Sequence, residues 1–199
     1  MNFAVLASGR GTNLQAIINA VKNRKIKAYL KLVVSDKKDA YALTRTRKAG
    51  IKNIFIDPAP FENREDFDRE ILKSMKNEKI DFVVLAGFMR ILSSYFIRAF
   101  KNKILNIHPA LLPAFKGAHA MKDTYDYGAK VTGVTVHFVD EKVDHGPIIL
   151  QEALAVHSGD SLGTLEKRIH AVEHQLYARA IDLFARKRLK ISGRKVKIL

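Results

Sequence analysis

Two hydrophobic periods take turns along this chain. Residues 2–7 (NFAVLA) form a short apolar run, read as a strand. Residues 12–21 (TNLQAIINAV) put Leu14, Ile17, Ile18 and Val21 on one helical face. The exchange then repeats. Residues 30–35 (LKLVVS) predict a strand, and 40–49 predict a helix stopped by Gly50. Residues 51–56 predict a short strand. Residues 64–75 predict a helix with acids early and bases later, as the helix dipole prefers. Residues 80–86 (IDFVVLA) are almost wholly apolar, which predicts a strand buried on both faces. Strand and helix in strict succession imply a parallel sheet with helices on both sides.

The pattern changes after residue 100. Residues 103–107 predict another strand, followed by a proline-bounded loop over 109–117. Residues 131–139 (VTGVTVHFV) and 147–156 (PIILQEALAV) predict two strands joined by the short loop 140–146, hence an antiparallel pair. Residues 161–187 predict a long helix with Leu162, Leu165, Ile169, Val172, Leu176, Ala180 and Leu183 as its apolar stripe. The expected class is α/β: a Rossmann-like three-layer sandwich whose central sheet is mostly parallel, with an antiparallel C-terminal part.

Composition narrows the setting. A hydrophobic fraction of 47% in 199 residues is enough for a proper core. No apolar run is long enough to span a membrane. The first residues enter a strand directly, without a basic stretch and a long apolar stretch ahead of it, so a cytoplasmic protein is expected. The absence of cysteine removes disulfides and thiolate chemistry. The formal charge of +15 has two readings: phosphate contacts with a nucleic acid or membrane, or a basic surface that attracts small anions. Most of the bases are scattered, and the one concentrated run, from Arg186 to Lys197, comes without zinc-finger spacing or an RNA-recognition signature. The charge therefore reads as a solvated basic tail over 188–199, and a nucleic-acid partner is not expected.

In open α/β sheets ligands lie beyond the carboxyl ends of the strands. Four such ends carry chemistry. In SGRGTN, Gly9 and Gly11 permit a tight turn, and Thr12 and Asn13 then open a helix with free N–H groups. That arrangement suits a monophosphate, or it is only a tight strand-to-helix turn. In NIHP, strand alternation puts Asn106 and His108 on one face. An amide can donate to a developing oxyanion, and an imidazole can pass a proton near neutral pH. In the loop 140–146, Asp144 is either simply solvated or a partner for His108, whose pKa it would then raise. In LAGFMRILS, Phe88, Met89, Ile91 and Leu92 either cover a flat ligand or pack under the next helix. An amide, an imidazole and a carboxylate with no serine or cysteine nucleophile suit direct acyl transfer to an amine. No histidine pair has metal-ligand spacing, so no metal is expected.

Taken together, SGRGTNLQAII, VVLAGFMRILS, LNIHPALLP, GVTVHFVDEKVDHGPII and AVEHQLYARAI resemble the phosphoribosylglycinamide formyltransferase family, over nearly the whole chain up to about Leu189. The resemblance implies the formyltransferase fold, in one domain over 1–187. Its first half, 1–100, would serve the nucleotide phosphate, and its second, 101–187, would serve catalysis and folate. It implies formyl transfer from 10-formyltetrahydrofolate to glycinamide ribonucleotide in purine synthesis, with Asn106, His108 and Asp144 catalytic. It assigns Gly11, Thr12, Asn13 and Glu173 to the nucleotide. It assigns Arg64, Met89, Arg90, Ile91, Leu92, Val139, Asp140, Glu141 and Asp144 to the folate. It also implies a cis Leu112–Pro113 bond, a role for His119 near the phosphate, and a monomer or homodimer acting on small molecules. Rival readings are a formyltetrahydrofolate deformylase, a methionyl-tRNA formyltransferase, and a non-catalytic anion- or nucleic-acid-binding module.

Overall fold

The computed structural model describes all 199 residues. In chain order the elements are β1 (Asn2–Leu6), α1 (Thr12–Lys22), β2 (Tyr29–Ser35), α2 (Tyr41–Lys48), β3 (Asn53–Phe55), α3 (Arg64–Asn77), β4 (Phe82–Leu85), α4 (Ser94–Ala99), β5 (Ile104–His108), α5 (Ala120–Asp126), β6 (Val131–Phe138), β7 (Ile148–Ala155), α6 (Leu162–Ala185), β8 (Leu189–Ser192) and β9 (Lys195–Ile198).

Seven strands form one sheet in the order β3-β2-β1-β4-β5-β6-β7. The first five run parallel, and β6 and β7 each run antiparallel to the strand before. The order reverses between β1 and β4, which makes their carboxyl ends the natural place for a ligand. The two ends are tied together: the Ser8 N–H donates to the Gly87 carbonyl at 3.0 Å, and the Met89 N–H donates to the Ser8 hydroxyl at 2.8 Å.

Alternation along β1 sorts its side chains into two cores. Phe3, Val5 and Ala7 point into the larger one with Leu14 and Ile17 of α1 and Leu165 and Ile169 of α6. Ala4 and Leu6 point into the other with Phe67 and Ile71 of α3 and Phe96 of α4. Helices therefore cover both faces, as the three-layer expectation required. The buried face of α6 also includes two polar residues, Glu173 and Tyr177. The Tyr177 hydroxyl sits 2.7 Å from the Leu85 carbonyl at the end of β4 and 2.9 Å from the Leu105 carbonyl near the start of β5.

Four elements go beyond the sequence reading. Helices α4 and α5 have six and seven residues, too short to display a helical period. The stretch expected to be a basic tail is a hairpin, β8–β9, turning at Gly193 with φ 58. The physical reason is legible in hindsight: lysines alternate with Leu189, Ile191, Val196 and Ile198, and three of these apolar residues (Leu189, Ile191 and Val196) pack against the larger core. The Leu112–Pro113 peptide bond is cis. No helix is long and apolar enough to cross a membrane.

Candidate active site

Strand β5 ends by presenting Asn106 and His108 on one side. Antiparallel pairing with β6 sets Asn106 opposite His137 and His108 opposite Thr135. The loop after β6 brings Asp144 over the same spot. Its backbone has φ 46, a left-handed value that aspartate tolerates better than most residues. Two residues on, Gly146 lies so close to β6 that a Cβ there would fall 1.8 Å from the Phe138 carbonyl oxygen. The loop therefore has one way to fit.

The four side chains converge. Asp144 Oδ2 lies 3.4 Å from His108 Nδ1 and accepts the Gly117 N–H at 2.9 Å. Asp144 Oδ1 lies 3.5 Å from Asn106 Nδ2 and 3.7 Å from His137 Nε2. The tautomers follow from the partners. His137 Nδ1 is 2.8 Å from the Phe138 carbonyl and must donate to it, so His137 Nε2 carries the lone pair that accepts from Asn106 Nδ2 at 3.2 Å. One hydrogen of the Asn106 amide is thus committed to His137. The other faces Asp144 at the long limit of a hydrogen bond and is free to turn to a substrate oxygen. His108 Nε2 donates to the Phe115 carbonyl at 2.8 Å, which leaves the lone pair of the neutral ring on Nδ1, facing Asp144.

Asp144 raises the His108 pKa, as its charge requires, but the net shift is downward. Burial is the largest influence and disfavours the imidazolium; Asp144 and the Phe115 carbonyl oppose it without overcoming it. His108 is only 3% exposed. For Asp144, burial pushes the carboxyl up. The Gly117 N–H and His108 act against it, and the pKa lies below the ordinary aspartate value.

A second cluster stands at the β1 end. Gly11 has φ 68 and opens α1, and a Cβ on it would meet Ala42 at 3.0 Å, so glycine is needed both for the turn and for the approach of α2. Asn13 Nδ2 donates to Glu173 Oε2 at 3.2 Å. Asn13 comes from the first expected half of the chain and Glu173 from the second. His170 Nδ1 lies 2.6 Å from the same Glu173 oxygen, and this hydrogen bond is the main cause of its raised pKa. Glu173 is buried, and close enough to bear on the charge of His108. A cavity of about 870 Å³ starts at Thr12 and runs between α1 and α6, away from His108; a smaller one of about 320 Å³ opens against Asp144.

The residues expected to meet folate divide. Met89 and Ile91 are apolar yet 69% and 59% exposed, and Val143, in the loop after β6, is also exposed. Arg90 lies over the Phe67 ring with its Nε buried and unpartnered. Leu92 instead belongs to the smaller core. Arg64 is exposed at the start of α3, and Val139 is half-buried against the smaller core. Asp140 bonds His145 within the loop at 2.7 Å, and Glu141 pairs with Arg98. His119 is exposed before α5.

Two residues escaped the sequence reading. His137 alternates with Val136 and Phe138, so the strand pattern points it away from the core, but only the β5–β6 register reveals Asn106 opposite. His170 lies three positions before Glu173 on a helix, the spacing at which side chains meet.

Comparison with known proteins places this geometry. The Formyl transferase family profile matches residues 1–181. The phosphoribosylglycinamide formyltransferase of Escherichia coli is 44% identical over 191 residues, covering 96% of this chain and 90% of the relative. That of Bacillus subtilis is 40% identical over 179 residues, covering 90% and 92%. The crystal structure of glycinamide ribonucleotide transformylase 1 from Symbiobacterium toebii superposes with a TM-score of 0.98 at 47% identity, covering 100% of this chain and 94% of that one. The chain belongs to the formyl transferase family, among the phosphoribosylglycinamide formyltransferases.

Proposed function

We propose that this enzyme moves the formyl group of 10-formyltetrahydrofolate onto the primary amine of glycinamide ribonucleotide, a step of purine biosynthesis in the cytoplasm. One observation carries the reading. Asn106, His108, His137 and Asp144 meet at the sheet's carboxyl edge beside the Asn13–Glu173 pair. That supports an acyl-transfer centre beside a site suited to a ribonucleotide.

The folate supplies an activated formyl carbon; the rest is the chain's own work. Exposed Met89, Ile91 and Val143 offer apolar cover for a flat ring system, and Arg90 offers an unsatisfied donor nearby. Gly11, Thr12 and Asn13 present the start of α1 to the nucleotide phosphate, while Glu173 accepts from its sugar or amine side. The free hydrogen of the Asn106 amide meets the formyl oxygen as negative charge develops there. Buried and neutral, His108 takes the proton that the amine sheds on attack, at Nδ1. Asp144 then stabilises the resulting imidazolium. That proton is available for return to the departing folate nitrogen. His137 keeps the Asn106 amide turned the right way.

His170 adds a pH dependence. Its pKa is raised, so its cation is fully present below the ordinary value of 6.5 and lost as pH climbs through the raised value. Nucleotide affinity is expected to weaken about two- to fivefold between about pH 7 and about pH 9, a range in which the phosphate itself stays doubly ionised. Calorimetric titration checks this: His170→Ala is expected to bind more weakly at the lower pH and to lose the dependence.

The reading itself is tested by purified protein with 10-formyltetrahydrofolate, with and without glycinamide ribonucleotide. Formylated nucleotide, and folate turnover only when the nucleotide is present, is the expected result. Equal turnover without nucleotide would mark a hydrolase, and no turnover in either tube would remove the catalytic reading.

A further inference from the structure

The loop that carries Asp144 is held from a direction the catalytic cluster does not explain. Within the loop, Asp140 Oδ1 accepts the Lys142 N–H at 3.1 Å, and Asp140 Oδ2 lies 2.7 Å from His145 Nδ1. From outside comes Arg194, at the tip of the β8–β9 hairpin. Its Nη2 donates to the His145 carbonyl at 2.7 Å, and its Nη1 lies against the His145 ring, 3.1 Å from Nε2 and 3.4 Å from Nδ1. Arg194, His145 and Asp140 thus form one continuous line of contacts from the hairpin into the loop.

The hairpin gives Arg194 a firm base. Leu189, Ile191 and Val196 pack on the larger core, and the Leu199 N–H donates to the Arg188 carbonyl at 2.8 Å. All of this lies beyond residue 181, where the family profile ends. His145 is the immediate neighbour of Asp144, whose left-handed backbone needs support on both sides. Gly117 supports the Asp144 carboxylate; Arg194 supports the backbone that follows it. Exposed charged contacts add little to global stability, so the effect of this one belongs in local geometry.

We propose that Arg194 is a positioning residue: acting through His145, it holds the loop 140–146 in the conformation that presents Asp144 to His108 and Asn106. The inference rests on the catalytic role proposed above for Asp144.

The test compares wild type, Arg194→Ala, Arg194→Lys, His145→Ala and the Arg194→Ala/His145→Ala double variant. Four quantities are read: kcat for formyl transfer, nucleotide affinity by calorimetry, Tm, and amide hydrogen exchange of residues 140–146 in the free protein. Arg194→Ala is expected to lower kcat about 3- to 30-fold, a fraction of what a full 1 Å misplacement costs. Nucleotide affinity should stay within about twofold of wild type, and exchange across the loop should quicken. Arg194→Lys keeps one donor and should recover part of the loss. The double variant should be no worse than the worse single variant, because the two side chains act in series. Unchanged kcat with unchanged loop exchange in Arg194→Ala would overturn the proposal. So would a fall in kcat matched by equal losses of nucleotide affinity and thermal stability, which would make the contact merely structural. An inactive wild type would defeat the role given to Asp144, and the exchange comparison would then decide the brace by itself.

Discussion

Asp144→Asn is expected to lower kcat by about 10²–10⁴-fold while leaving the fold intact. The substitution keeps the shape and removes the charge. Asp144 is the largest influence opposing burial at His108, so without it the His108 pKa falls further below the ordinary value. In the proposed mechanism neutral His108 is the working form. Wild-type activity therefore declines as pH drops through the His108 pKa, and in Asp144→Asn that decline moves to lower pH. The plateau falls as well, because the imidazolium formed on taking the amine's proton has lost its counter-charge. Rate profiles between about pH 5 and about pH 8 separate the two effects. A limb that stays in place would mean that His108 is not the group titrating. A plateau near the wild-type value would remove Asp144 from the chemistry.

Gly146→Ala is the second large effect, and its origin is steric. The added methyl would sit 1.8 Å from the Phe138 carbonyl oxygen and 2.8 Å from the Phe138 carbonyl carbon, both in the backbone of β6. Backbone in a paired strand does not yield as a side chain would, so the loop must move instead. Such overpacking costs about 1–3 kcal/mol, or roughly 2–12 °C in Tm for a chain of this size. The catalytic loss is larger than the stability loss. Asp144 is two residues away, and a displacement of about 1 Å costs about 10²-fold in rate. Nucleotide binding, proposed at Asn13 and Glu173, should hardly change. Calorimetry beside steady-state kinetics checks that split; equal losses in both would point to general unfolding rather than to a moved carboxylate.

The parts of the fold that the sequence announced are those with a strong local period. The apolar runs of β1, β2 and β4 and the long stripe of α6 declare themselves in single segments. The site was legible where one segment carried it. Asn106 and His108 share a face because strands alternate, and the glycines after β1 signal a turn that an anion can use. What stayed hidden depends on two segments at once. His137 matters only because the β5–β6 register sets it opposite Asn106. The direction of the His108 shift depends on how deeply the ring is buried, which no local pattern states. The C-terminal hairpin was hidden for a different reason: its many charges drew attention away from its alternation.

Helix α6 carries one more implication. Glu173 bonds Asn13 at the proposed nucleotide site, and Tyr177 grips the end of β4 and the start of β5. They stand four positions apart on the helix, a rise of about 6 Å that hydrogen-bonded peptide geometry does not allow to stretch. Asn106 follows Leu105 directly, so the distance from the proposed carboxylate partner of the ribonucleotide to the amide proposed to meet the formyl oxygen is gauged by a rod. Asp144 and Met89 ride on loops that can be lengthened or re-aimed, whereas inserting a single residue between positions 173 and 177 would swing one end by about 100° and break the gauge. The molecule thus has a fixed datum line, and substrate preference can drift around it without the reacting atoms losing their spacing.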